Sequence, residues 1–128
     1  MRYLLDADWV INYLRGKTEA VEPVTALADE GLAMSLVTYG EVLEGLGGSP
    51  SAQLAHFDQL AEALELLTLD VEICRRYAQT RAHLRSRGEL IPDNDLWIAA
   101  TALRHDLVLL SHDHHFTRIP GLSLFQTR

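Results

Sequence analysis

Short apolar runs take turns along the chain with longer stretches in which apolar residues recur every three or four positions. Tyr3-Leu4-Leu5 is an apolar run that ends at Asp6, the pattern of a short strand. Trp9, Val10, Tyr13 and Leu14 then recur at helical spacing, and Gly16 closes that helix. A second helix is expected to start near Pro23, a good first-turn residue, to carry Val24, Leu27 and Ala28, and to stop at Gly31. Residues 32–37 read as a second strand. Residues 38–46 return to helix, with Val42, Leu43 and Leu46 on one face and Gly47-Gly48 as the stop. Ser49-Pro50 opens a further helix, in which Leu54, Phe57, Leu60, Ala61, Leu64 and Leu67 follow at three- and four-residue steps. Asp70 caps the next, with Val71, Cys74, Tyr77, Ala78 and Leu84 inward and Gly88 at its end. Pro92-Asp93 begins the last helix, and residues 96–103 are apolar nearly all round, as in a buried helix. Residues 107–110 form a buried-strand run and residues 122–125 an edge strand.

Strands that alternate with helices imply an α/β domain with a largely parallel sheet. The 128 residues suit one domain spanning residues 1–128, and 48% hydrophobic residues allow a sizeable core. There are no repeats, low-complexity stretches or linkers. No apolar run approaches the ~18 residues that a membrane span needs. The opening segment meets Asp6 too early for a signal peptide. A single cysteine, Cys74, excludes an internal disulfide, so a cytoplasmic location is expected. The net charge of −7 argues against a protein held on nucleic acid by bulk electrostatics. It leaves room for a nuclease, because an acidic metal site contributes to that charge and bound cations offset it.

Four carboxylates fall where elements begin or end. Asp6 closes the first strand and Asp113 follows the 107–110 strand by a short turn. Glu41 lies one turn into the helix after the second strand, and Asp95 in the first turn of the helix before the 107–110 strand. In open α/β sheets ligands sit at the carboxyl ends of the strands, so all four can face one edge. Each alone has an ordinary explanation: a helix N-terminal residue for Asp93 and Asp95, a solvated helix residue for Glu41, a turn residue for Asp113. Together they form a negative cluster, in which close carboxylates raise each other's pKa until a hard divalent cation relieves them. Oxygen ligands favour Mg2+ or Mn2+, and such ions activate water and polarise phosphoryl groups.

Four motifs in order resemble those of the PIN-domain ribonucleases, and among these the VapC-type toxins of toxin–antitoxin pairs. They are Tyr3-Leu4-Leu5-Asp6-Ala7-Asp8-Trp9-Val10-Ile11, Ser35-Leu36-Val37-Thr38-Tyr39-Gly40-Glu41, Asp95-Leu96-Trp97-Ile98-Ala99-Ala100-Thr101-Ala102, and Leu110-Ser111-His112-Asp113-His114-His115-Phe116 followed by Ile119-Pro120-Gly121-Leu122. The resemblance covers nearly the whole chain and implies a three-layer PIN-like domain, a short largely parallel sheet flanked by helices. It implies an endoribonuclease acting on tRNA, rRNA or mRNA to arrest translation. Asp6, Glu41, Asp95 and Asp113 would hold one or two Mg2+ or Mn2+ ions, with Asp93 as an auxiliary ligand and Ser111 as a hydrogen-bonding site residue. Water would attack the phosphorus in line, leaving a 5′-phosphate and a 3′-hydroxyl. A small cognate antitoxin and a homodimer are the implied protein partners.

The chain leaves the family pattern at Ala7, where a Thr or Ser is usual, and at Asp8, often Asn or Ser. Asp8 adds a ligand or water-positioning group, or caps the first helix, with the cap favoured. Five of the ten arginines (Arg75, Arg76, Arg81, Arg85, Arg87) share one segment. Most of these read as a solvated face, while Arg81 falls on the apolar line and needs a carboxylate or phosphate, placing it at the site rim. His112, His114 and His115 read as polar loop residues, with a softer metal site or an acid–base role as the alternative. Trp9 and Trp97 read as packing, and Cys74 as a buried small hydrophobe. The apolar faces of the helices 38–46 and 50–66 offer a grip for an antitoxin. Two other functions compete. Asp6-Ala7-Asp8 also resembles the first motif of haloacid-dehalogenase-type phosphatases, although the only lysine is Lys17, too early for that mechanism. A non-catalytic PIN-like module that binds RNA or protein is the other, with Ala7 as its sign.

Overall fold

Five strands, β1 (Tyr3–Leu5), β2 (Leu32–Ser35), β3 (Glu65–Leu67), β4 (Val108–Leu110) and β5 (Ser123–Leu124), make one all-parallel sheet in the computed structural model, which describes residues 2–47 and 51–126. Their order is β3-β2-β1-β4-β5, with β1 at the centre. The helices are α1 (Ala7–Leu14), α2 (Thr18–Leu27), α3 (Leu36–Gly45), α4 (Ala52–Ala63), α5 (Val71–Ser86) and α6 (Asp93–His105). Short 3-10 turns follow at Ala28–Glu30 and His114–Arg118.

The central strands β1, β2 and β4 are buried on both faces because helices cover both. Leu4, Ala33 and Leu109 join Leu84 of α5 and Leu96, Ala99 and Ala102 of α6 in one core layer. Their sequence neighbours Leu5, Met34 and Leu110 point the other way and pack with Trp9, Val10, Val24, Phe57 and Leu60 from α1, α2 and α4. This makes three layers, helices on each side of a sheet, as the α/β reading expects. Burying each large side chain contributes about 1.5–3 kcal/mol, so the central strand is fixed from both sides. The end of β1 therefore has little freedom.

The elements differ from the sequence pattern in four places. The second helix starts at Thr18, and Pro23 sits inside it. The Lys17 carbonyl accepts from the Ala20 and Val21 N–H groups at 3.0 and 2.9 Å and so starts the turn early. The inward stripe is Ala20, Val24 and Leu27, whereas Ala28 is exposed. Ala20 is too small to signal that start. The second strand ends at Ser35, whose Oγ accepts from the Val37 N–H at 3.1 Å and opens α3 two residues sooner than the apolar run suggests.

Residues 65–67 continue helical spacing in sequence but form β3 instead, pairing with Ala33–Ser35. The open edge of β2 supplies hydrogen bonds there that override the local pattern. On α5 the buried residues are Ile73, Thr80 and Leu84, with Tyr77 half-buried, while Val71, Cys74 and Ala78 are exposed. Cys74 is thus not the buried hydrophobe expected. The inward face was displaced because Thr80 packs inward despite its hydroxyl. Gly48, Ser49 and Pro50, read as a helix stop and a helix start, lie outside the described residues. Within them, Ser51 caps α4 by accepting from the Leu54 N–H at 3.1 Å.

Candidate active site

The Asp6 N–H donates to the Leu110 carbonyl at 2.9 Å, which extends the β1–β4 ladder by one residue and sets Asp6 at the carboxyl end of the central strand. Asp6 is only 7% exposed. Its Oδ1 accepts from the Ala7 N–H at 2.9 Å, and its Oδ2 from the Ser111 hydroxyl at 2.7 Å. Burial pushes its carboxyl up from 3.8 to about 7; the Ser111 and Ala7 bonds oppose this, and the charges of Asp8 and Asp95 add to it. Ser111 has a second task, since its Oγ accepts from the Asp113 N–H at 3.0 Å. One hydroxyl thus links the ends of two neighbouring strands.

Glu41 projects from α3 with its Oε1 buried and without a hydrogen-bond partner among the described residues. Burial raises its pKa, and so do the charges of Asp95 and Asp8, against a lowering by the Asn94 side chain. Asp95, in the first turn of α6, is also raised by burial and by Asp113, while the bond from His115 lowers it. Asp95 therefore feels Asp113 and is felt by both Asp6 and Glu41. The fold brings the four acids of the sequence pattern into one electrostatic neighbourhood around Asp95.

His115 stands inside this group. Its Nδ1 lies 3.1 Å from Asp95 Oδ2 and 3.0 Å from Asp113 Oδ1. Its backbone N–H donates to the same Asp113 oxygen at 2.9 Å. Read in sequence as a loop residue, it is the site residue that pattern reasoning undervalued; its place two residues beyond Asp113 was the available signal. Asn94, whose side chain bonds Glu41, carries no signal in the sequence beyond its adjacency to Asp95.

Asp93 does not join the four: its Oδ1 accepts from the Tyr77 hydroxyl at 3.2 Å and pairs with Arg81 at 3.6 Å. Arg81 thereby has its carboxylate at the start of α6, two residues before Asp95. Asp8 has both oxygens engaged, Oδ1 by the Trp9 N–H at 2.7 Å and Oδ2 by the His112 N–H at 2.8 Å. It ties α1 to the loop after β4. Trp9 is buried and stacks on His112, with ring centroids 5.1 Å apart, and Trp97 stacks on Tyr77 at 3.8 Å, so both indoles pack against neighbours. His114 is exposed.

A cavity of about 600 Å3 opens beside Glu41, lined by Ala7, Leu36, Gly40, Glu44 and Asn94. Ala7, where the family pattern carries a hydroxyl, is part of this wall. Another cavity, of about 590 Å3, lies between α5, α6 and the start of β5, and none of the four acids lines it. Of these two cavities, the one beside Glu41 is lined by one of the four acids with a raised pKa, which makes it the candidate site.

Oxygen donors of this kind suit a hard divalent cation. The partnerless Glu41 oxygen and the buried Asp6 carboxyl fit one, because a cation would satisfy the first and favour the charged form of the second. Asp8, the general acid that the phosphatase reading requires, is spent on two amides.

A family model described as the PIN domain matches residues 3–122. Ribonuclease VapC1 of Haemophilus influenzae (strain R2866) is 34% identical, covering 95% of this chain and 95% of its own length. The structure of VapBC-1 from nontypeable Haemophilus influenzae superposes with a TM-score of 0.84 at 32% identity, over 98% of this chain and 97% of that one. VapBC-5 of Mycobacterium tuberculosis, a member of the VapBC family of toxin–antitoxin systems, superposes with a TM-score of 0.72 at 28% identity, over 95% and 93%. Fold, site geometry and these likenesses agree: the chain belongs to the PIN-domain family, among its VapC-type ribonucleases.

Proposed function

We propose that this chain is the endoribonuclease toxin of a toxin–antitoxin pair, that its activity depends on Mg2+ or Mn2+, and that Asp6, Glu41, Asp95 and Asp113 hold the ion. The observation that carries the metal is the buried Asp6 carboxyl, raised to about 7, in the company of a partnerless Glu41 oxygen. A bound divalent ion supplies Lewis acidity at a phosphodiester and lowers the pKa of water. The chain's own residues do the rest. Ser111 and the Ala7 amide fix both oxygens of Asp6, so that this carboxylate does not swing. Asp8 locks α1 against the loop after β4, which keeps Asp6 and Asp113 in register. The cavity beside Glu41 admits the RNA backbone. In the reaction a water oxygen bonds to phosphorus and the bond from phosphorus to the 3′-oxygen breaks. The products are a 5′-phosphate and a 3′-hydroxyl, with no change of oxidation state.

The RNA substrate is a tRNA, rRNA or mRNA, and the reaction belongs in the cytoplasm. No helix among the described residues is long and apolar enough to cross a membrane. The partner is a small antitoxin, and the toxin itself pairs as a homodimer. The pairing in VapBC-1 and VapBC-5 supports the antitoxin. The net charge of −7 favours a basic antitoxin segment laid into the acidic site.

The test uses purified protein and 5′-labelled tRNA and rRNA. Cleavage is expected with Mn2+ or Mg2+, none with a chelator, and none from Asp95→Asn at any ion concentration. Growth arrest on expression, relieved by co-expressing a neighbouring small reading frame, tests the partner. Cleavage that persists in chelator would remove the metal from this reading, and an inert wild-type protein that still binds RNA would favour the non-catalytic module.

A further inference from the structure

The three histidines after β4 are not equivalent. His112 is stacked on Trp9 with its ring 11° from the indole plane, and His114 is exposed. Only His115 meets the acids. One ligand atom from each of Asp95, Asp113 and His115 lies within 4.8 Å of the other two. The Nδ1 distances to the two carboxylate oxygens are 3.1 and 3.0 Å. Neighbouring ligands around an ion at about 2.1 Å stand about 3 Å apart, so those spacings suit adjacent positions on one cation. The segment is also pinned. Phe116, next in sequence, is fully buried, the His115 N–H is bonded to Asp113, and the Asp113 N–H to Ser111.

We propose that His115 Nδ1 is a ligand of the divalent ion held between Asp95 and Asp113, which makes this half of the site a mixed nitrogen–oxygen site that prefers Mn2+ to Mg2+. The inference rests on the metal-dependent reading above and adds to it the identity of a fifth ligand and its consequence. Mg2+ prefers oxygen donors and retains its waters, whereas imidazole nitrogen suits transition-metal ions. Ligation requires the ring neutral, with its hydrogen on Nε2. Among the described residues His115 makes no hydrogen bond or ion pair with Glu41 or Asp6, so its removal leaves their hydrogen bonds in place.

The test measures ion binding and not cleavage, on the metal-free full chain. Calorimetry gives the affinities for Mn2+ and Mg2+, and pulsed electron paramagnetic resonance reads nitrogen hyperfine coupling at bound Mn2+. Wild-type protein is expected to show that coupling and to bind Mn2+ at least about 10-fold tighter than Mg2+. His115→Ala should lose the coupling and about 10-fold in Mn2+ affinity, with Mg2+ affinity changed by less than about twofold. His115→Gln keeps a polar side chain without an imidazole, and should behave like His115→Ala; circular dichroism checks that both variants fold. Mn2+ bound to wild type without nitrogen coupling overturns the inference and leaves the metal-dependent nuclease standing, as does full Mn2+ affinity in His115→Gln. Failure of the wild type to bind either ion would overturn both.

Discussion

Asp6 and Asp113 follow adjacent strands and share the hydroxyl of Ser111, yet they inhabit different surroundings. Asp6 is 7% exposed, held by a strand end and two hydrogen bonds, and its carboxyl is pushed up to about 7. The Asp113 side chain is 37% exposed, sits at a 3-10 turn, and faces an imidazole shared with Asp95. Charge on Asp6 is opposed by burial and by neighbouring acids, while on Asp95, where burial also opposes charge, the bond from His115 acts the other way. The contrast teaches that the two halves have different roles. On the proposed metal-dependent reading, the buried Asp6 is where a cation would bring the most relief, and the more exposed Asp113 is where it would enter.

The strongest way to break this contrast is Asp6→Asn. RNA cleavage should fall at least about 100-fold, the scale of losing a key electrostatic group. The metal-free protein should melt no lower, because a neutral amide removes the desolvated charge, and its oxygen can still accept from the Ala7 N–H while its NH2 donates to the Ser111 hydroxyl. Labelled-RNA assays and thermal melts check both, and a clearly lower melting temperature would contradict the burial argument.

The pH dependence follows from the same group. The folded state holds the Asp6 proton up to about 7, against an ordinary value of 3.8, so across that window the folded form carries more protons than the unfolded chain. Stability then falls as pH rises through the window and levels above it. The ceiling is on the order of 4 kcal/mol, at 1.36 kcal/mol for each pKa unit. Glu41 and Asp95, also raised, act in the same direction. Urea titrations of metal-free protein between pH 5 and pH 8 should show the decline, and Asp6→Asn should flatten much of it. Mn2+ at 100 times its Kd should return about 2.7 kcal/mol at pH 8.

Ser111→Ala strikes the link between the halves. It should cost about 1–3 kcal/mol, through lost partners for Asp6 and for the Asp113 amide, and should slow cleavage less than Asp6→Asn does. Asp8→Ala should be milder for catalysis. Two amides lose acceptors, at about 1–2 kcal/mol, while the like charge beside Asp6 disappears. Cleavage close to wild type at reduced thermal stability is the expected outcome, and loss of ion binding in Asp8→Ala would make Asp8 a ligand after all. Smallest of all, Arg81→Ala should change stability by at most about 1 kcal/mol, since the pair with Asp93 is largely solvated, and cleavage should hold.

Much of this was legible in the order of residues. The strand ends at Asp6 and before Ser111 stand out because a buried parallel strand is a short unbroken apolar run, and the acids follow those runs directly. Legibility failed where tertiary contacts decide the outcome. Residues 65–67 are helical in spacing and became a strand because β2 had an open edge. The inward face of α5 runs through Thr80, a polar residue that counts against burial in any apolar count. Ala20 hid the true start of α2 by being small. At the site, the acids were legible as types that imply a cation, whereas for His115 the loop reading and the metal-site alternative could not be told apart, because its meaning depends on an Asp95 twenty positions earlier and on a turn that aims it. Asp93 shows the converse, an acid of the right type and neighbourhood that the fold directs to Tyr77 and Arg81.

The bond from Ser111 to Asp6 joins residues 105 positions apart. The first strand to be synthesised waits for one of the last before its aspartate has a partner. Pairings of such long range form late, after shorter-range contacts. A ribosome that stalls, or a message cut, between the Asp95 codon and those of β4 therefore yields a chain that carries Asp6, Glu41 and Asp95 but no assembled site. An endoribonuclease toxin built this way is armed only by a translation event that ran nearly to its end.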